Sequence, residues 1–322
     1  MKGRELKKGI ATGSGATVAV FLICFCLLDI GRDGIAGFGN TAVGLALGGL
    51  LLPVIIYALR AALCCGKAPA SRVMSCIVSI FLSAAAVCVA VRASDEVGNF
   101  VCGVMELNCS HTIVAAAVLV VGAYMASLGA EAIKKFALVA FFFAAVSSIG
   151  VLTLAAVREG GLALRLGEIM RSDMLSRLSP EGISESLIVG VAPAIVAAAF
   201  VTMAQNRSKG LGLHSLGGAL AAIAVLVLCF INVALVPGLE YASLSDYPYV
   251  TAAGSVSVGK LFLRPEGFVY LFYLWVSVST VAACISVVCL AVKAEGRQKR
   301  LLPYLVGAVG LAAVCLDFIP FG

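Results

Sequence analysis

Charged side chains are scarce in this 322-residue chain, where Asp, Glu, Lys and Arg make up 12% of the residues against roughly 25% in a soluble domain. Apolar residues make up 61%, and the mean hydropathy is +1.08. Because so apolar a chain cannot hide its side chains in one core surrounded by water, it must use lipid as solvent, which permits only helices or closed barrels. The apolar runs are continuous rather than alternating, which excludes a barrel. The sequence predicts an all-α polytopic membrane protein.

Residues that usually carry chemistry are also few. The two histidines, His111 and His214, fall at the starts of predicted helices on opposite sides of the membrane, so they cannot form one site. The sequence has no CxxC or Cys/His cluster, no phosphate-binding loop and no Gly-x-Ser-x-Gly elbow. These absences predict a protein that is not an enzyme and has no metal and no cofactor. The net charge of +6 comes from short basic clusters between apolar runs, which set membrane orientation and do not indicate nucleic-acid binding.

A predicted membrane hairpin lies at the centre of the chain. Its two apolar runs, 112–130 and 136–157, contain no formal charge and are joined by the polar hinge GAEAIKK. At about 1.5 Å per residue, each run is long enough to cross a hydrocarbon core of roughly 30 Å. Lys134 and Lys135 form a positive pair that predicts a cytoplasmic position for the hinge.

The whole chain predicts nine such helices, at 10–28, 41–59, 73–91, 112–130, 136–157, 186–204, 215–236, 267–292 and 301–316. We expect the polar segment 158–185 to form an amphipathic helix on the surface. We expect the acidic segment 92–110 to be an outer loop with room for a short interfacial helix, and the polar segment 237–266 to lie outside the bilayer. With the N-terminus cytoplasmic, 15 of the 23 basic residues fall inside, which favours this orientation. These are Lys2, Arg4, Lys7, Lys8, Arg60, Lys67, Arg72, Lys134, Lys135, Arg207, Lys209, Lys293, Arg297, Lys299 and Arg300.

Three stretches resemble a known family. They are YMASLGAEAIKKFALVAFFF at the hairpin, the Gly39-Asn40 entry to helix two with its run LGGLLLPVIIYAL, and YPYV followed by LFLRPEGFVYLFYLWV before helix eight. The sequence there is similar to the B subunits of spore germinant receptors (the GerAB type), within the amino acid–polyamine–organocation permease superfamily. The resemblance implies a permease-like inverted-repeat helix bundle in one transmembrane domain, 1–322. Its first five-helix repeat would be 1–158, and the second, 184–322, would lack the tenth helix.

The resemblance also implies a function. It implies a spore germination protein in the inner membrane of the spore that senses a small amino-acid-like germinant together with A- and C-type receptor subunits. An ion-coupled amino acid transporter and a non-binding structural subunit are the alternatives. Asp29, Glu131 and Asp317 all lie at the ends of apolar runs, and no carboxylate lies deep in a run, which disfavours a proton relay.

Helix six carries the predicted binding site. Its proline lacks an N–H and follows a glycine by three residues, so the helix is expected to kink or open there. Freed backbone groups cannot face lipid, so they must face a cavity or another helix. In permease-like folds such broken-helix ends line the substrate site, whereas an ordinary kink packed against a neighbouring helix is the alternative. The residues expected to line a substrate pocket are Gly190, Val191, Ala192 and Pro193 of helix six and Phe21 and Phe25 of helix one.

Overall fold

A computed structural model describes residues 15–24, 47, 50–62, 69–104, 110–159, 193–204, 211–236, 247–256, 266–292 and 298–315. Within these ranges 97% of the structure is helical and there are no strands. The prediction of an all-α protein is therefore confirmed for this part of the chain.

The described residues form ten helices, numbered here in chain order. They are α1 Gly15–Cys24, α2 Leu50–Ala62, α3 Pro69–Val104, α4 His111–Leu128, α5 Ala130–Glu159, α6 Pro193–Ala204, α7 Leu211–Leu235, α8 Pro248–Ser255, α9 Glu266–Ala291 and α10 Gln298–Cys315.

Five of these helices are long and apolar enough to cross a membrane. These candidate spans are Val73–Val104, His111–Leu128, Ala130–Ala156, Leu213–Leu235 and Glu266–Ala291. Four shorter apolar helices, α1, α2, α6 and part of α10, coincide with other runs predicted to cross the bilayer. The chain is a helical membrane protein with several spans. The predicted surface helix at 158–185 falls almost entirely outside the described residues.

Helix α3 is longer than its apolar run predicted. It continues through the acidic part of segment 92–110 and ends at Val104. The extension packs against the start of α4, because a Cβ placed on Gly98 would lie 2.7 Å from the backbone oxygen of His111. The side chains of Asp95 and His111 also approach to 3.7 Å there. Tertiary contact with α4 thus keeps this charged segment helical and continuous with α3, where the sequence predicted an outer loop with a short interfacial helix.

The central hairpin is confirmed, with a shorter hinge than predicted. Only Gly129 separates α4 from α5, and its φ of 96° is a backbone conformation that suits glycine. The lysines behind it are not an exposed pair. Lys135 is exposed, whereas Lys134 is only 2% exposed and its Nζ lies 3.1 Å from Glu131 Oε1. The helical repeat turns Lys134 toward the neighbouring helices, so only one of the two faces outward.

Helix α9 is the centre of the described bundle. It packs against α3, α4, α5, α8 and α10. In its most apolar window 67% of the residues are buried within the protein, against 22% for α3. A helix that is apolar all round and surrounded by protein is expected at the core of a bundle, so α9 positions the elements around it.

Helix α8 lies inside segment 237–266, which the sequence predicts to lie outside the bilayer. Its residues Pro248, Tyr249, Val250, Ala252 and Ala253 are all buried within the protein. The helix packs against α7 and α9. Part of this polar segment therefore belongs to the packed bundle, which the polar residues around α8 did not indicate.

Candidate functional site

A group of polar side chains lies buried where α5, α7 and α8 meet. We call it the Ser148 cluster, and it consists of Ser147 and Ser148 of α5, Cys229 and Asn232 of α7, and Tyr249 of α8. Each helix places its members on the face that meets the other two, and all five side chains are at least nine-tenths buried. Buried polar groups inside a membrane bundle are costly and often mark functional sites.

Ser148 is the centre of the cluster. Its hydroxyl donates to the backbone oxygen of Ala144 at 2.8 Å, one helical turn earlier. Because a serine has a single O–H, Ser148 Oγ is left to accept from its neighbours. The Cys229 thiol lies 3.3 Å away, and the Tyr249 hydroxyl donates from 3.4 Å. The latter distance is long for an O–H···O bond, which is normally near 2.7–2.8 Å, so Tyr249 is only weakly satisfied.

Asn232 joins α7 to α5 and keeps an unused acceptor. Its Nδ2 donates to the backbone oxygen of Ser148 at 2.9 Å. Its Oδ1 is buried and has no hydrogen-bond partner in the described part of the chain. The Ser147 hydroxyl, beside that of Tyr249, likewise makes no hydrogen bond of good geometry. Unsatisfied buried polar groups are rare in native structures and call for an explanation, such as a ligand.

Four of the five members of the cluster lie in candidate membrane spans, Ser147 and Ser148 in Ala130–Ala156 and Cys229 and Asn232 in Leu213–Leu235. Ser148 is 11 residues before Glu159 at the end of α5, or about 16 Å along the helix axis. Asn232 is three residues before Leu235 at the end of α7, or about 4.5 Å. The group therefore lies in the C-terminal halves of α5 and α7.

A layer of stacked aromatic rings fixes α8 in place. Tyr249 meets Phe272 of α9 with ring centroids 5.9 Å apart, and Phe272 meets Tyr273 at 5.1 Å. Tyr273 stacks on Phe100 of α3 at 4.6 Å with an angle of 11°, and Phe100 meets Tyr247 edge-on at 5.0 Å. Such pairs stabilise by about 0.5–1.5 kcal/mol each beyond their buried area. The layer ties α8 to α3 and α9 and so holds Tyr249 against Ser148.

A second set of buried hydroxyls lies on α9, where it meets α1. Ser277 Oγ lies 3.7 Å from Cys24 Sγ. Thr280 donates to the backbone oxygen of Val276 at 2.9 Å, so its donor is satisfied within the helix. The Ser279 hydroxyl is buried and has no hydrogen-bond partner in the described residues. Among the described residues, no three His, Cys, Asp or Glu side chains are grouped so that they could hold a metal ion.

The pocket predicted at helix six is described only at its edges. Pro193 is buried and begins α6, and Phe21 of α1 is also buried. Gly190, Val191, Ala192 and Phe25 lie outside the described residues. The predicted pocket therefore stays a prediction, and so does the kink at Pro193.

The Ser148 cluster was not predicted from the sequence, because its members are uncharged residues inside or between apolar runs. The available signals were the adjacent Ser147 and Ser148 within 136–157 and the single Asn232 within 215–236. Uncharged polar residues inside a membrane run also need partners in the bundle. Neither a protein-family model nor a curated protein sequence matches the chain.

Proposed function

We propose that this chain is a permease-like membrane protein that binds a small polar solute inside its helix bundle, at the Ser148 cluster. The observation that carries the proposal is the Asn232 Oδ1 atom, which is buried in a candidate membrane span and has no hydrogen-bond partner in the described residues. Leaving such a group unpaired costs about 1–3 kcal/mol. A solute that donates an N–H or O–H to this oxygen would recover that free energy.

The chemistry of the cluster favours a small molecule with several hydrogen-bonding groups. Asn232 Oδ1 offers an acceptor, and the hydroxyls of Ser147 and Tyr249 each offer a donor as well as lone pairs. None of the five side chains carries a formal charge at neutral pH. The site would therefore recognise a small amino acid or a similar molecule by directed hydrogen bonds, which are strong in a medium of low dielectric constant.

The resemblance to germinant-receptor B subunits supports a sensing role. In this proposal the chain has nine membrane helices in two inverted repeats, its N-terminus is cytoplasmic, and it lies in the inner membrane of the spore. Its partners are A- and C-type receptor subunits, and solute binding at the Ser148 cluster is the signal that they receive. Because the cluster has no carboxylate that could relay a proton, sensing fits it better than ion-coupled transport.

The binding step can be tested on the purified full-length chain in detergent. Amino acids and small sugars are added one at a time, and thermal unfolding is followed, since a ligand that binds only the folded protein raises the unfolding temperature. We expect at least one solute to do so and Ser147→Ala to abolish the shift. Ser127→Ala is the matched control, because that hydroxyl lies near the end of α4 and donates to Tyr124 O of its own helix at 2.6 Å. If the solute raises the unfolding temperature equally in both variants, it does not bind at the Ser148 cluster.

The physiological role needs a separate test. Deletion of the gene in its host is expected to impair spore germination by a small nutrient and to leave vegetative growth unchanged. Reintroducing the Ser147→Ala variant at normal abundance is expected not to restore the response, whereas Ser127→Ala should restore it. If germination is intact after deletion and uptake of one amino acid is lost, the chain is a transporter.

A further inference from the structure

A groove between α1, α5 and α7 lies away from the Ser148 cluster and has no role in the proposed function. Its volume is about 350 Å³, and its lining is almost wholly apolar. The lining residues come from the first turns of α1 and α7 and from the first half of α5. They are Gly15, Ala16, Ala19, Leu138, Phe141, Leu213, His214, Gly217, Gly218 and Ala221.

Two glycines form the floor of this groove. Gly15 of α1 and Gly218 of α7 touch through their backbones, so a side chain on Gly218 would collide with the Gly15 carbonyl. Gly217 differs, because a Cβ placed there would meet nothing within 4 Å. Leu213 is 74% exposed and Leu138 is 45% exposed at the sides of the groove. The groove is thus a concave apolar surface that opens outward, toward the lipid surrounding a membrane bundle.

An exposed basic side chain lies near the end of the groove where α5 begins. Lys135 is exposed and precedes Leu138 by one helical turn. In the sequence, Lys7 and Lys8 precede α1, and Arg207 and Lys209 precede α7. Each helix that lines the groove therefore begins close to basic residues. An apolar groove with a cationic end complements a molecule with an anionic head and an apolar tail.

We propose that this groove binds one anionic phospholipid, with an acyl chain against Gly217 and the headgroup phosphate beside Lys135. Basic pockets between membrane helices recognise anionic headgroups in this way, and the acyl chain fills apolar space that no described side chain occupies. The lipid would hold α1 against α7 at the point where their backbones touch. This proposal does not depend on the solute bound at the Ser148 cluster.

Fluorescence quenching by brominated lipids can test the assignment on the full chain. Trp275 is the single tryptophan, so Trp275→Phe removes the native tryptophan fluorescence before a new reporter is introduced. Leu213→Trp places a reporter in the groove, and Leu220→Trp places one on an exposed face of the same helix outside the lining. Each protein is reconstituted in mixtures of brominated and ordinary lipid. Relative binding constants are then measured for phosphatidylglycerol and phosphatidylcholine.

We expect phosphatidylglycerol to be preferred by at least about fivefold at Leu213→Trp, since one lysine beside an anionic surface contributes about that factor. At Leu220→Trp the two lipids should quench equally. Lys135→Gln should lower the preference in the groove by about fivefold. Equal quenching by both lipids at Leu213→Trp, or a preference that Lys135→Gln leaves unchanged, would overturn the proposal.

A second pair of variants is made without a tryptophan reporter. It tests the same groove when no reporter is present that could disturb it. Gly217→Leu adds a side chain to the groove and Gly150→Leu adds the same side chain to α5, and at both positions a Cβ would meet nothing within 4 Å. Native mass spectrometry of the purified proteins then counts retained phosphatidylglycerol. We expect one bound lipid to be lost from Gly217→Leu and kept in Gly150→Leu. Retention of that lipid by Gly217→Leu would place the binding site elsewhere.

Discussion

Replacing Asn232 with leucine separates stability from binding at the proposed site. The substitution removes the Nδ2 hydrogen bond to Ser148 O, which costs about 1 kcal/mol. It also removes the buried, unpartnered Oδ1, which recovers about 1–3 kcal/mol. Leucine has the same branching and the same number of side-chain heavy atoms, although its methyl groups are bulkier, so some overpacking offsets part of this gain. The solute-free variant is therefore expected to be as stable as the parent chain, or more stable by up to about 2 kcal/mol.

Equilibrium unfolding in mixed micelles measures that difference, and a solute titration of the same samples measures binding. We expect Asn232→Leu to keep or gain stability and to lose all stabilisation by solute. Asn232→Ala removes the same polar atoms but leaves a void, so it should be less stable than the leucine variant. A loss of more than about 2 kcal/mol in Asn232→Leu would show that Oδ1 is satisfied in the protein and serves the fold, which would refute the reasoning.

Three further predictions follow from the packing and the topology. Glu131→Gln should lower the free energy of unfolding by about 1–3 kcal/mol, because the buried Lys134 loses the carboxylate that lies 3.1 Å from its Nζ. Lys135→Gln, at an exposed site, should change the free energy of unfolding by less than about 0.5 kcal/mol. Gly122→Ala should destabilise by about 1–3 kcal/mol, because its Cβ would lie 2.7 Å from Val281 Cγ1, while Gly150→Ala, with open space, should be neutral or stabilising. Cysteines placed in 158–185 should react with an impermeant thiol reagent added outside and one placed at position 135 should not, and the reverse pattern would overturn the proposed orientation.

The long helices could be predicted from the sequence because a helix that crosses lipid must be long and apolar. A run such as 267–292 is long and apolar, and α9 was found at Glu266–Ala291. Helix α3 extends beyond the predicted end of its run because Gly98 packs against the backbone of His111. This is a tertiary contact. Local composition does not reveal such a contact, so the sequence predicted an outer loop with a short interfacial helix in place of a longer α3.

The candidate site was harder to predict, since it depends on which helix faces meet. The sequence shows Ser147, Ser148 and Asn232 inside apolar runs, but it does not show that they share one junction. Tyr249 was hidden further, because α8 is a short apolar stretch within a polar segment. Its position against Ser148 follows from aromatic packing on α9, a contact between residues far apart in the chain.

Site-resolved alkylation of the native cysteines tests most directly whether a solute binds at the Ser148 cluster. Cys229 is buried within the cluster, and Cys76 is exposed on α3. The purified chain is treated with a small uncharged thiol reagent, with and without the solute that raises its unfolding temperature, and modification of each cysteine is followed by mass spectrometry. We predict that the solute slows alkylation of Cys229 severalfold and leaves Cys76 unchanged. An unchanged rate at Cys229 under saturating solute would contradict the proposed site.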